Sequence, residues 1–324
     1  MNPKRVRVSK SRQSIALCVL ALVTPLVLSC SANDPAPLGK SGVATPEAEA
    51  LFQKGYEAYK AGRYDEARAI FADVIARFPN DPAAVASMYY TGRSYHQQSR
   101  YAEARAEYQK VTVEHPDAKR ADDAQFRIGE TYYDEGNYST ALTELELVLT
   151  RFPGSDSEDD ATYYIGRSSQ RLGDISRAHS EYTKILATWP ASEFADDAQF
   201  RLGEILYDQK SYQAALPELE RVVTSYPSTD SADDAQYYVG RCWHQLGDTA
   251  RARTEYAKVI ASWPQSSTAG DAQFRIGMTW HDERNYATEL MALNVLLSTY
   301  PSNQYLSRAQ QHIADINGPR INHQ

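Results

Sequence analysis

The chain has little cysteine, and most of that lies near its start. Of three cysteines in 324 residues, Cys18 and Cys30 fall in the first thirty positions and only Cys242 lies in the body. With Cys18 leaving in a leader and Cys30 taken up by a lipid, only Cys242 would remain, and no intrachain disulfide is then possible. The 16 glycines and 15 prolines are too few for a collagen-like or low-complexity protein. Hydrophobic residues at 42% and charged residues at 23% exclude wholesale disorder. No apolar run reaches the roughly 20 residues that span a membrane. The longest, Ile15 to Leu28, is broken by Thr24 and Pro25. Basic charge is scarce beyond the start. The net charge is -8, and the five cations Lys4, Arg5, Arg7, Lys10 and Arg12 have no acid among them, so the remainder stands at -13. A body that acidic lacks the electrostatic footprint of a nucleic-acid binder. Anionic lipid headgroups are equally poor partners for it.

What is present begins with an address. A basic start followed by a short apolar core reads as a secretory leader. The stretch Leu26-Val27-Leu28-Ser29-Cys30 that ends it resembles a bacterial lipobox. That resemblance implies a leader over 1–29, diacylglycerol on Cys30, and, with Ser31 next, an outer-membrane destination facing the periplasm. More than one acyl chain on one residue anchors stably. Cleavage nearby by ordinary signal peptidase is the alternative, and would leave a free periplasmic protein. Residues 30–46 are small and polar with three prolines, the composition of a flexible tether. Gly39-Lys40-Ser41 is no phosphate loop, because no strand precedes it and no glycine stands five residues earlier.

Everything from residue 47 to 316 is one repeat. Glycine falls at 55, 92, 129, 166, 203, 240 and 277, and proline at 79, 116, 153, 190, 227, 264 and 301, always 37 apart. A period of this size marks a solenoid. Alanine occupies 67, 104, 141, 178, 215 and 252, and fails only at Glu289. A large apolar column holds Phe71, Tyr108, Leu145, Tyr182, Leu219, Tyr256 and Leu293. Capping residues divide each unit into two helices. One column (Asp81, Ser155, Ser192, Thr229, Ser266, Asn303) is expected to open helix A, and a second (Asn137, Asp174, Ser211, Asp248, Asn285) helix B. Acid pairs such as Asp196-Asp197 suit a helix N-terminus. Pro217 predicts a kink in its helix B, or a later start.

These columns resemble the tetratricopeptide repeat, with 37 residues in place of that family's 34. The resemblance implies an all-α, right-handed solenoid of seven helix–turn–helix repeats. Tyr305 to Ile316 would add a more polar capping helix, and 317–324 a disordered tail. A pair of helices cannot bury its apolar face alone, so neighbours must stack. There is also a slower rhythm. Segment 124–138 matches segment 198–212 at 9 of 15 positions, and the nearer segment 161–175 at only 4. Alternate repeats therefore present different chemistry.

In such arrays helix A lines the concave groove. Three columns would face it here. The first holds Phe126, Tyr163, Phe200 and Tyr237; the second Glu130, Arg167, Glu204 and Arg241; the third Tyr133, Tyr207 and His244. As a partner-binding groove, aromatic faces would hold a peptide and the charges would fix its register. As an internal ladder, Arg and Glu of neighbouring helices would pair and the rings would pack between repeats. Both readings fit the residues. Glu130 and Glu204 exclude the clamp for a C-terminal carboxylate that chaperone-tail binders use.

Chemistry is thin. His244 and His281 share a column with Asp282 beside the latter, but read better as polar groove residues than as ligands. No nucleophile elbow, zinc helix motif or Gly-rich phosphate loop occurs. No catalysis, cofactor, metal or small-molecule substrate is expected. The phrase Gly55-Tyr56-Glu57-Ala58-Tyr59-Lys60-Ala61-Gly62-Arg63-Tyr64 and the lipobox resemble the outer-membrane-assembly, BamD-like lipoproteins. That implies a scaffold with envelope proteins or peptides as partners. The Asp-Asp-Ala-Gln-Phe-Arg phrases at 122–127 and 196–201 are similar to YbgF-like proteins of the Tol-Pal system. A self-associating structural protein of the envelope is the third reading.

Overall fold

The computed structural model describes residues 43–318. The leader, Cys30, most of the tether and residues 319–324 lie outside the described residues. Seven helical hairpins follow one another: α1 (Pro46–Lys60) with α2 (Tyr64–Arg77), α3 (Pro82–Gln97) with α4 (Tyr101–Glu114), α5 (Ala121–Asp134) with α6 (Tyr138–Arg151), α7 (Glu158–Leu172) with α8 (Ile175–Thr188), α9 (Ala195–Asp208) with α10 (Tyr212–Ser225), α11 (Ser231–Gln245) with α12 (Thr249–Ser262), and α13 (Ser267–Asp282) with α14 (Tyr286–Thr299). A last helix, α15 (Leu306–Asn317), packs on α14. Among the described residues there is no strand. Each helix packs on the next, giving the stacked hairpins of a tetratricopeptide solenoid.

The sequence columns explain the packing. Alanines 67 to 252 and the large residues Phe71 to Leu293 are fully buried. The large residue stands over the glycine of its own hairpin, so the absent Cβ makes room for it. Gln125, Gln199 and Gln273 of the first helices donate to backbone carbonyls of Glu144, Glu218 and Ala292 on the second, at 3.0, 3.2 and 2.9 Å. Those carbonyls are thereby held at a fixed point against helix A. First helices of neighbouring hairpins also touch one another: α1 with α3, α5 with α7, α9 with α11 and α11 with α13. No two second helices approach as extensively among the described residues. The first helices therefore lie on the inner side of the curve.

The second cap column is observed at four of its five members, Asn137, Asp174, Asp248 and Asn285 accepting from backbone N–H groups three residues on, whereas Ser211 stands at the start of α10 without a side-chain capping bond. The first is corrected. Of that column only Asp81 and Ser266 cap helix A by their side chains, and Thr45, outside it, caps α1. Elsewhere helix A starts at Ala121, Glu158, Ala195, Ser231 and Leu306, after a short turn. Ser192 Oγ and Asn303 Oδ1 each accept from the N–H two residues on, at 3.1 and 2.9 Å, which closes that turn. Such local bonds compete with helix. Pro217 lies inside α10, whose start at Tyr212 matches its counterparts, so no later start occurs. Pro217 is the sixth residue of that helix and is exposed.

Candidate functional site

The inner helices carry the residues singled out from the sequence, and the structure brings them into two copies of one cluster. In the first, Tyr164 is the hub. Phe126 meets it edge-on at 5.4 Å between ring centroids, and Tyr133 at 5.2 Å. Arg167 lies over Tyr133 at 5.0 Å and over Tyr163 at 5.7 Å. In the second, Tyr238 is the hub, with Phe200 at 5.4 Å and Tyr207 at 5.2 Å, again edge-on. Arg241 lies over Tyr207 at 4.3 Å and over Tyr238 at 4.5 Å. A related arrangement surrounds Tyr90, with Phe52 at 5.7 Å and Tyr59 at 5.3 Å. The doubled repeat seen in the sequence is thus a packing unit, in which one hairpin supplies Phe and Tyr and the next supplies the hub and the guanidinium.

All six predicted rings are buried: Phe126, Tyr133, Tyr163, Phe200, Tyr207 and Tyr237. Edge-to-face pairs and cations over rings favour this geometry beyond the area buried. Tyr163 stacks on Phe194 at 4.4 Å and donates to Asp197 at 3.1 Å. Tyr237 accepts from Arg275 Nε at 3.1 Å. Burial pushes the Tyr237 hydroxyl up to about 12, against the pull of Arg275 and Arg241. These rings brace the wall from within.

The charges are largely buried in the same wall, Arg167 most of all, and are linked along it. Arg127 donates to Glu130 at 2.8 Å and Arg201 to Glu204 at 2.7 Å. Tyr164 donates to Glu130 at 3.2 Å, and His96 Nδ1 stands 3.7 Å from it. Burial alone would raise the Glu130 pKa, but Arg127, His96 and Arg93 outweigh it and hold the group at about 2. Arg127 and Arg201 lose to burial and gain more from Glu130 and Glu204, so both are raised well above their ordinary value. His96 and His244 bridge to acids of the next hairpin, Asp134 at 2.9 Å and Asp282 at 2.6 Å. Cys242 is a buried small residue of α11, and burial pushes its thiol up to about 12.

The hubs Tyr90, Tyr164 and Tyr238 and the cations Arg127, Arg201 and Arg275 were not among the sequence candidates. They share one column, next to that of Phe126, in which tyrosine and arginine alternate. That alternation was the available signal.

This wall of paired helices is the architecture of a tetratricopeptide repeat protein. Repeat profiles match residues 52–119 and 123–155. The profile described as outer membrane lipoprotein, YfiO, matches residues 157–319, just over half of the chain. The chain belongs to that family. Among solved structures, it is similar to a tetratricopeptide repeat protein from Parabacteroides merdae ATCC 43184, at 16% identity and TM-score 0.55, over 83% of this chain and 99% of that one. The C-terminal part of a repeat protein from Cytophaga hutchinsonii aligns at 18% identity and TM-score 0.61, over 81% and 99%. RapI in its apo form aligns at 11% and 0.65, over 84% and 82%. At these identities the likeness shows the fold. The comparison with curated proteins gives no match.

Proposed function

We propose that this protein is a non-enzymatic scaffold of the bacterial envelope. A lipid on Cys30 holds it to the outer membrane, and the inner wall receives segments of partner proteins. The role its resemblance implies is in inserting β-barrel proteins. The observation that carries this reading is the family membership, which places an outer membrane lipoprotein profile on the very hairpins that form the second cluster. The physical argument agrees. A solenoid offers extended surface, and a wall already braced by buried rings loses little conformational freedom on binding. Specificity then falls to the charges along it: Glu130, Arg167, Glu204, Arg241 and His244, with Asp134 and Asp282 at their edges. Electrostatic complementarity of this kind sets register and partner choice more than raw affinity.

The test is photo-crosslinking in intact cells from a probe at position 244, paired with affinity capture from solubilised membranes. A β-barrel assembly component is expected in both, and His244→Ala should weaken capture while leaving helix content unchanged. Recovery of Tol or Pal proteins instead overturns the assembly role. Crosslinks that arise only from second-helix positions overturn the inner wall as the contact face.

A further inference from the structure

Six hairpins bury an alanine where their two helices cross, and the seventh buries Glu289 there instead. A carboxylate sealed in that crossing has to be compensated. Two histidines from other elements converge on it. His281 Nδ1, at the end of α13, lies 2.9 Å from Glu289 Oε2, and His312 Nδ1, on α15, lies 3.1 Å from Oε1. The three ligand atoms fall within 4.8 Å of one another. Glu289 is fully buried, whereas the side chains of His281 and His312 are 44% and 21% exposed. The cluster is thus closed beneath and open on its histidine side. The two imidazoles meet edge-on at 5.0 Å, and Tyr286 and Phe274 stand against His281 and His312 at 5.9 and 6.5 Å. Those rings restrict where each imidazole can turn.

No other such group of three occurs among the described residues. His96 and His244 share a column with His281, yet each pairs with an acid of the following hairpin. The metal pair weighed from the sequence, His244 with His281 and Asp282, is not assembled: His244 holds Asp282, and His281 turns to Glu289.

Two imidazole nitrogens and one carboxylate oxygen make a borderline donor set that takes zinc and its neighbours. In a tetrahedral zinc site, donors about 2.0–2.2 Å from the ion stand roughly 3.3–3.5 Å apart. The two histidines reach different oxygens of Glu289, and one oxygen with both nitrogens already lies within 4.8 Å, so modest turns of the imidazoles and the carboxylate bring the three donors to that spacing. We propose that His281, Glu289 and His312 bind one divalent transition-metal ion of the zinc type. The fourth position is left to solvent, and the ion clamps the capping helix α15 to the last hairpin. This site does not depend on which partner the inner wall receives.

The test uses the full chain without a polyhistidine tag, at a pH where imidazole is neutral, because a protonated ligand cannot bind. Cobalt(II) titration should give visible tetrahedral absorption saturating at one equivalent, which zinc(II) displaces. Zinc should slow hydrogen exchange in α15. His281→Ala and His312→Ala should each weaken binding by more than the 10–100-fold typical of outer-shell changes. Glu289→Ala restores the residue that the other hairpins carry and so keeps the fold; it should abolish binding. No cobalt absorption in the unaltered chain overturns the proposal and leaves a hydrogen-bonded latch. Binding retained in folded Glu289→Ala overturns it by placing the metal elsewhere.

Discussion

A Cβ atom placed on Gly129 would stand 2.6 Å from Leu145 Cγ and 3.3 Å from the Leu145 backbone nitrogen. The side chain is fully buried and its backbone belongs to α6, so neither can retreat freely. Gly129→Ala is therefore expected to destabilise the array by about 1–3 kcal/mol, the usual cost of overpacking. Urea unfolding checks it. Gly277→Ala should cost less, because its new atom would meet only side-chain atoms of Leu293 and Ala292. Equal losses at the two sites would show that side-chain crowding, not the backbone, sets the cost.

The turn from first to second helix uses a left-handed residue in every hairpin. Glycine supplies it at 62, 136, 173 and 247, but Ser99, Lys210 and Arg284 adopt φ of 58°, 62° and 58°. A side chain held in that region costs roughly 1–2 kcal/mol. Lys210→Gly and Arg284→Gly should each raise stability by up to about 1 kcal/mol, since glycine's extra freedom in the unfolded chain offsets part of the gain. Thermal unfolding of the single and double variants checks this, with additive effects expected for sites two hairpins apart.

The glycine and proline columns were legible because each reports a backbone event that only those residues satisfy: a close helix crossing, and the end of a hairpin. The entry to helix A was misplaced at Ser192 and Asn303 because a residue fit to cap a helix also closes a turn two residues earlier, and composition does not separate the two. Phe126, Tyr163, Phe200 and Tyr237 could be assigned to one face of their helices from spacing. Whether that face is open or covered depends on the neighbouring column, where Tyr164 and Tyr238 fill the space. Glu289 was visible as the exception in the alanine column. His312, 23 residues later, joined it only through the return of the capping helix.

Glu130 sits at the meeting point of Arg127, Tyr164 and His96, and its folded pKa of about 2 lies below the ordinary glutamate value. Its charge therefore stabilises the fold above pH ~4.3 and loses that effect as the pH falls toward 2. The depression corresponds to roughly 3 kcal/mol at most. Glu130→Gln should be clearly less stable than the unaltered chain at pH 7. The gap should close between pH 4 and pH 2, where the protonated acid and the amide are alike. A constant gap at all pH values would assign the loss to packing.

Asp160 shows the opposite balance on the neighbouring helix. It shares the first turn of α7 with Glu158 and Asp159, where the helix dipole favours negative charge. Burial nevertheless raises its pKa well above the ordinary value. Arg127 opposes the shift, while Asp159, Asp123 and Glu193 add to it. A folded pKa above the unfolded one means the favourable contribution is complete below about pH 3.9 and is lost as the pH rises through the folded value. The buried Asp160 carboxyl is then a net cost to the fold at neutral pH. Asp160→Asn should raise the unfolding midpoint at pH 7, and the gain should vanish at pH 3, where the acid is protonated in both states. A lower midpoint at pH 7 would mean that the Arg127 attraction and the helix dipole together exceed the cost of burial, and that the anion is held in place by design of the hairpin junction.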